Sequence, residues 1–382
     1  MGRMKIRQSY RQGDTVGAAL SPFFNSKAGA VLRSLAIGTA TGIVVVLFRI
    51  LLDKADGLRK ALYQGLRSGG LRLFVLWAAF LVVAGLVLGF MSKRYPMIRG
   101  SGIPQLKGSM ERKLHMGWWP ELPMKLGGGV LAIGCGLSLG REGPSVQLGA
   151  YTGQALTRLM KRPDTERKYL ITSGAAAGLA AAFNAPLAGV LFALEELHKH
   201  FSPLLILCAM AGSIAGDLVA GAFFGLGPVF DFRTIDPLPL SFLPAALVLG
   251  LVCAIIGELF KRSLYSAQNL FQHLRIPVVL RPILPLLLSV PLGLWLYDVI
   301  GGGHHVIQNL SQSVPALPML GILFAGKLAL TSLSYGSGAP GGIFLPLLAL
   351  GAIIGTAFSQ SLILLGLSGE TFHLNFLILG MA

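Results

Sequence analysis

Three short segments carry residue types from which an anion site can be built without a formal cation. They are Gly100-Ser-Gly-Ile-Pro104, Gly140-Arg-Glu-Gly-Pro144 and the run Gly336-Ser-Gly-Ala-Pro-Gly-Gly-Ile-Phe-Leu-Pro346. In each, a glycine-rich turn runs directly into Pro or an apolar helix start. Pro suits the first turn of a helix, where its missing N–H costs nothing, and Gly permits the tight backbone that brings free N–H groups together. Each turn therefore predicts an exposed helix N-terminus, with roughly half a positive charge and several unpaired donors. Three such ends converging inside a membrane would hold an anion without the cost of a buried cation. Glu142 adds a titratable group: ionised, it can occupy the donors that would hold an anion, and protonated, it leaves them. Arg141 beside it adds positive potential or pairs locally.

The elements that must position these turns follow from composition. Of 382 residues, 53% are hydrophobic and 13% charged, about half the charge of a soluble domain, and the mean hydropathy is +0.69. This excludes a soluble enzyme and predicts a polytopic all-α membrane protein. The formal net charge of +16 sits between apolar runs, where orientation signals and lipid-headgroup contacts fall, and no basic stripe with interleaved aromatics calls for nucleic acid. Residues 1–28, with Arg3, Lys5, Arg7 and Arg11, read as a cytoplasmic N-terminal segment. Apolar runs at 30–52 and 71–90 are separated by a basic, amphipathic stretch. Pieces at 102–113, 122–139, 145–159, 169–183, 187–197 and 203–224 follow, broken by Gly and Pro and several too short to span. Non-helical backbone at membrane depth is tolerated only where protein buries it or it lines a wet cavity, so these breaks predict broken helices meeting at a binding site. A Pro-rich connector at 227–239 precedes runs at 242–259, 283–300, 320–333 and 343–365, dividing the chain into halves at 29–226 and 240–382.

At GSGIP, GREGP and GGIFLP, and at GAAAGLAAAFNAPLAGVLFALEE over 174–196, the sequence resembles the CLC chloride channel and transporter family. The resemblance implies an inverted repeat of broken and re-entrant helices in a homodimer in the cell (inner) membrane, each subunit with its own pore and both termini cytoplasmic. It implies a central anion held by the Ser101 hydroxyl and the N–H groups of Ile343 and Phe344, with Gly102 and Ile103 shaping the first turn. It implies an outer site in the GREGP segment, with Arg141 and Gly143, where Glu142 is the gating glutamate. Glu196 falls at the position of the internal proton-transfer glutamate of exchangers, which channel members typically lack. Chloride is the implied substrate because Ser101 is present where nitrate-selective members carry Pro. Proton-coupled chloride antiport, a passive chloride channel and a non-transporting fragment remain open readings. No cofactor or metal is implied, and chloride, protons and membrane lipid are the partners.

Three departures from the family pattern stand out. Gln105 and Lys107 replace acids found in some exchangers just after GSGIP. The family also continues past 376–382 with further helices, one supplying a Tyr hydroxyl to the central anion and others much of the dimer interface, so the chain reads as incomplete at its C-terminus. Two patterns are decoys. Gly136-Leu-Ser-Leu-Gly140 has the G-x-S-x-G spacing of a hydrolase but lies in an apolar run with no His or acid partner, and His304-His305 lacks further metal ligands nearby.

Overall fold

The computed structural model describes residues 13–198, 201–230, 232, 235, 237–367, 369 and 372–382, with side chains from residue 27 onward apart from 164 and 165. Arg3, Lys5, Arg7 and Arg11 lie outside them. The described residues form fourteen helices and no strand. These are α1 (Gly13–Ser68), α2 (Leu71–Arg94), α3 (Ile103–Met110), α4 (Glu121–Gly134), α5 (Glu142–Leu159), α6 (Asp164–Phe183) and α7 (Pro186–Phe192). They continue with α8 (Pro203–Phe224), α9 (Leu243–His273), α10 (Ile283–Trp295), α11 (His304–Gln312), α12 (Leu317–Gly336), α13 (Phe344–Leu364) and α14 (His373–Met381). Six helical stretches are long and apolar enough to cross a membrane. The outward faces of α2 and α9, with Leu76, Val83 and Phe90 and with Leu247, Leu251 and Ile255, are exposed apolar surface of the kind that faces lipid.

Helix α1 corrects one expectation. It runs without a break through the stretch read as a basic separator after residue 52. The reason is that Arg59 points inward: it is 4% exposed, donates to the Ile133 carbonyl at 2.8 Å and pairs with Asp56. A charge with internal partners does not end a helix. In contrast, α10 ends at Trp295, short of the expected residue 300, because Leu296 leaves helical backbone at φ −135°, ψ 80°. Helix α9 carries on past residue 259 to His273, taking Lys261 and Arg262 with it.

The early ending of α10 has a counterpart in the first half of the chain. Helix α2 stops at Tyr95 with φ −124°, ψ 78°, and a single 3-10 turn, Pro96–Ile98, leads to left-handed Gly102 at the start of α3. Helix α10 stops at Leu296, and the turn Tyr297–Val299 leads to left-handed Gly303 at the start of α11. Lys125 of α4 donates to the carbonyls of Ile98 and Gly100 at 2.9 and 2.7 Å. Lys327 of α12 does the same to Val299 and Gly301 at 3.1 and 2.8 Å. Lys125 and Lys327, Gly140 and Gly342, and Pro144 and Pro346 are each 202 residues apart. Gly140 and Gly342 exchange both backbone hydrogen bonds at 2.7 Å in an antiparallel bridge, the arrangement that two equivalent positions take across a two-fold. The fold is an inverted repeat of α2–α6 and α10–α14.

Because lipid tails are as apolar as Leu, helices in a membrane associate through close van der Waals contact at small residues. In the first half, a Cβ at Gly149 of α5 would collide with the Gly174 carbonyl of α6; in the second, one at Gly351 of α13 would collide with the Gly380 carbonyl of α14. Each α5 or α13 is thus pressed backbone to backbone against the next helix. Gly149→Leu is expected to cost about 3 kcal/mol or more through overpacking. It should abolish the monodisperse peak of the detergent-solubilised protein on size-exclusion chromatography. Gly127→Ala, where an added Cβ meets nothing within 4 Å, should leave that peak unchanged.

Candidate functional site

Two backbone bridges tie the three glycine-rich turns into one junction. Gly100 N–H donates to the Ala339 carbonyl at 3.2 Å and Gly341 N–H donates back to the Gly100 carbonyl at 3.0 Å, while Gly140 pairs with Gly342. A Cβ on Gly143 would sit 2.9 Å from the Ser101 carbonyl oxygen, and one on Gly342 would sit 3.1 Å from the Gly143 nitrogen. The starts of α3, α5 and α13 therefore converge, bringing together Ser101, Gly102, Ile103, Arg141, Glu142, Gly143, Ile343 and Phe344. The first N–H groups of each helix have no intrahelical acceptor, so their positive ends face one small region.

Local sequence explains each turn. Left-handed Gly102, at φ 88°, lets Ser101 fold back over the start of α3, where Ile103 N–H donates to Ser101 Oγ at 3.3 Å. Pro104 then occupies the first turn, where it forgoes no helical bond. Ser101 is 7% exposed. The Tyr335 ring from the last turn of α12 packs on Gly100, next to Ser101 in the chain, with its hydroxyl 3.5 Å from where a Gly100 Cβ would sit. Phe344 is half-exposed and meets the Phe183 ring edge-on, centroids 5.7 Å apart.

Glu142 is the unusual member. It is 2% exposed, yet neither carboxylate oxygen makes a well-formed hydrogen bond. The carboxylate folds against Gly140 and faces the backbone amides of Arg141, Leu345 and its own residue. Arg141 does not neutralise it by contact, since its guanidinium lies 3.9 Å from Asp53. A buried carboxylate at the converging starts of α5 and α13 occupies a pocket suited to a small anion. Arg141 and Leu345 open from this point onto a cavity of about 510 Å³. Arg49, Asp53, Asp56 and His304 also line it, and Arg49 is fixed by donating to the Ala181 carbonyl and Asn184 Oδ1 at 2.7 and 2.9 Å.

Glu196 stands apart from the junction. It lies in the wider π-helical turn Ala193–His198 that continues α7, and Lys107 Nζ of α3 binds its carboxylate at 2.9 Å. Lys107 is one helical turn past Ile103, about 6 Å along the axis, so α3 links the two places. Glu195 is exposed. The decoys stay inert: Ser138 is fully buried and bonds Thr331 at 2.7 Å, and His305 pairs with Asp56 at 2.8 Å. No group of three metal-binding side chains occurs among the described residues.

Reading the sequence missed Tyr335 and the two buried lysines. Lys125 and Lys327 had a legible signal, a lone cation inside an apolar run. Tyr335 had none, because only the bridge between Gly100 and Pro340 brings the end of α12 to Ser101.

Comparison with known proteins agrees with this geometry. A family model described as voltage gated chloride channel matches residues 84–382. The H(+)/Cl(-) exchange transporter ClcA of Vibrio vulnificus strain YJ016 is 36% identical over 341 residues, covering 85% of this chain and 71% of that protein. Among solved structures, a slow cyanobacterial Cl-/H+ antiporter superposes with a TM-score of 0.86 at 30% identity, covering 92% of this chain and 84% of the other. A CLC-type fluoride/proton antiporter gives 0.75 at 25% identity, with 93% and 85% covered.

The buried lysines generate a test of what holds the junction together. Replacing either by Met leaves two buried carbonyls without their donor, at about 1–3 kcal/mol. Lys125→Met and Lys327→Met are each expected to lower the thermal unfolding midpoint in detergent, followed by tryptophan fluorescence. A midpoint unchanged in both would show that the glycine bridges hold the turns alone.

Proposed function

Because the chain belongs to the voltage-gated chloride channel family, we propose that it exchanges chloride for protons across the cell membrane, with Glu142 alternating between anion mimic and proton carrier. The observation that carries this reading is a carboxylate 2% exposed, without a well-formed hydrogen bond, at the converging starts of α5 and α13. Ionised, Glu142 takes the amide donors that chloride would use. Protonated, it no longer competes for them, and chloride arriving through the cavity beside Arg141 takes its place.

The hydroxyls of Ser101 and Tyr335 and the N–H groups of Ile343 and Phe344 would hold the central chloride. Glycines 102 and 143 let the turns close around it, and Ile103 starts the helix that points at it. Glu196 would receive protons from the other side and pass them toward Glu142, which requires its pair with Lys107 to open. Chloride and protons are the cargo, and no cofactor enters the cycle. The exchanger named ClcA and the cyanobacterial antiporter support antiport over passive conduction. The protein would lie in the inner membrane with its N-terminus cytoplasmic, its halves at 29–226 and 240–382 joined by 227–239, and pair as a homodimer surrounded by lipid.

The decisive measurement is chloride-driven proton uptake into liposomes. The wild type should pump protons; Glu142→Gln should move chloride without protons or pH dependence; Glu196→Gln should lose proton transport while chloride flux keeps its pH dependence. Absence of uptake in a wild type that still moves chloride would make the protein a passive channel. Tyr335→Phe should separately weaken chloride binding about tenfold, the worth of one hydrogen bond to a charged group, in isothermal titration. Unchanged affinity would reduce Tyr335 to packing.

A further inference from the structure

Helix α5 runs from the junction to the opposite end of the bundle, about 27 Å away at 1.5 Å per residue. There the chain turns sharply twice. After α3, Lys113 and Leu114 both donate to the Gly108 carbonyl, at 2.8 and 3.1 Å, and Arg112 takes a left-handed φ of 59°. After α5, the first turn of α6 brings up Arg167 and Lys168. Between them lies a groove of about 560 Å³ lined by Arg112, Lys113, His115, Arg167 and Lys168, with no carboxylate among the described residues of its wall.

Of the described acids nearest in sequence, Glu111 pairs with Lys113 at 2.7 Å, and Glu166 is taken by Arg33 and Arg162 at 2.6 and 2.8 Å. Arg112 and Lys168 have no acidic partner among the described residues. The groove floor is apolar: Met110, Met116 and Ile171 belong to the buried cluster that includes Leu194 and Leu197 on either side of Glu196. Leu114 in its wall is 46% exposed, and three residues past the lining residue Met116 the chain carries Trp119, 68% exposed; exposed Trp marks the depth of the headgroup layer. The cavity beside Arg141 at the other end of α5 mixes Asp53, Asp56 and Asp298 with its arginines. The end richer in Lys and Arg is the cytoplasmic one, where the leaflet is anionic.

We infer that this groove is a binding site for a phosphate-bearing anion, the headgroup of an anionic phospholipid whose chains lie along Leu114 and Trp119. The guanidinium and ammonium groups would hold the phosphate oxygens, and the apolar floor would join the bound headgroup to the segment carrying Glu196. This site is separate from the chloride junction and does not depend on the transport reading.

The test uses the full-length protein in detergent with short-chain phosphatidylglycerol, phosphatidylcholine and inorganic phosphate as probes, with bound lipid counted by native mass spectrometry. Phosphatidylglycerol should be retained in preference to phosphatidylcholine. The double variant R112Q/K168Q should weaken that retention about twenty-fold, as loss of two interfacial charges implies. Both residues are exposed, and an unchanged thermal midpoint will confirm that the variant is folded; Lys168→Glu alone should act in the same direction. Displacement of the lipid by millimolar phosphate, or phosphate binding without a lipid preference, would keep the phosphate site but assign it to a soluble ligand. Equal retention of both lipids with no phosphate binding, or retention unaffected by the variants, would overturn the site.

Discussion

A backbone N–H group at the end of a helix must find an acceptor, and inside a membrane water is not there to supply one. The architecture around Ser101, Glu142 and Phe344 answers to that constraint. Three helices begin here, and the first amides of α5 and α13 are aimed at a common point with no side chain capping them. The group that fills the space is the carboxylate of Glu142. A site that must be filled by an anion, and is filled by one that can be neutralised with a single proton, already contains the elements of exchange.

Keeping amides unsatisfied and aligned has a structural cost, and the fold meets it with backbone-to-backbone contact. The bridges at Gly100 and Gly140 hold the turns in register, while the buried ammonium groups of Lys125 and Lys327 collect carbonyls that the 3-10 turns leave over. Both lysines serve the same purpose on opposite sides of the two-fold. The glycine contacts of α5 with α6 and of α13 with α14 then fix where those helix ends point.

Around the junction, charge is arranged by distance. Arg141 and Arg49 line the wide cavity leading to Glu142, near enough to attract an anion, while Asp53 and Asp56 beside them prevent a cationic trap. On the other side, Lys107 occupies Glu196 one turn along α3 from the junction. Lys107 thereby ties α3 to the turn after α7 through one ion pair at 2.9 Å.

The sequence by itself determined the helical membrane class and the three helix starts beside Ser101, Glu142 and Phe344, because these are local matters: apolar run length, glycine and proline punctuation, and residue type. It misjudged 53–70, because whether Arg59 meets solvent or the Ile133 carbonyl is a question about α4, not about its neighbours in the chain. It gave no sign of Tyr335 beside Ser101, nor of the bond between Lys107 and Glu196, which joins α3 to the turn after α7. Only the tertiary structure decided which side chains complete each site. Hydroxyl and ammonium groups act over about 3 Å, and helices far apart in the chain come that close only where small residues let their backbones touch.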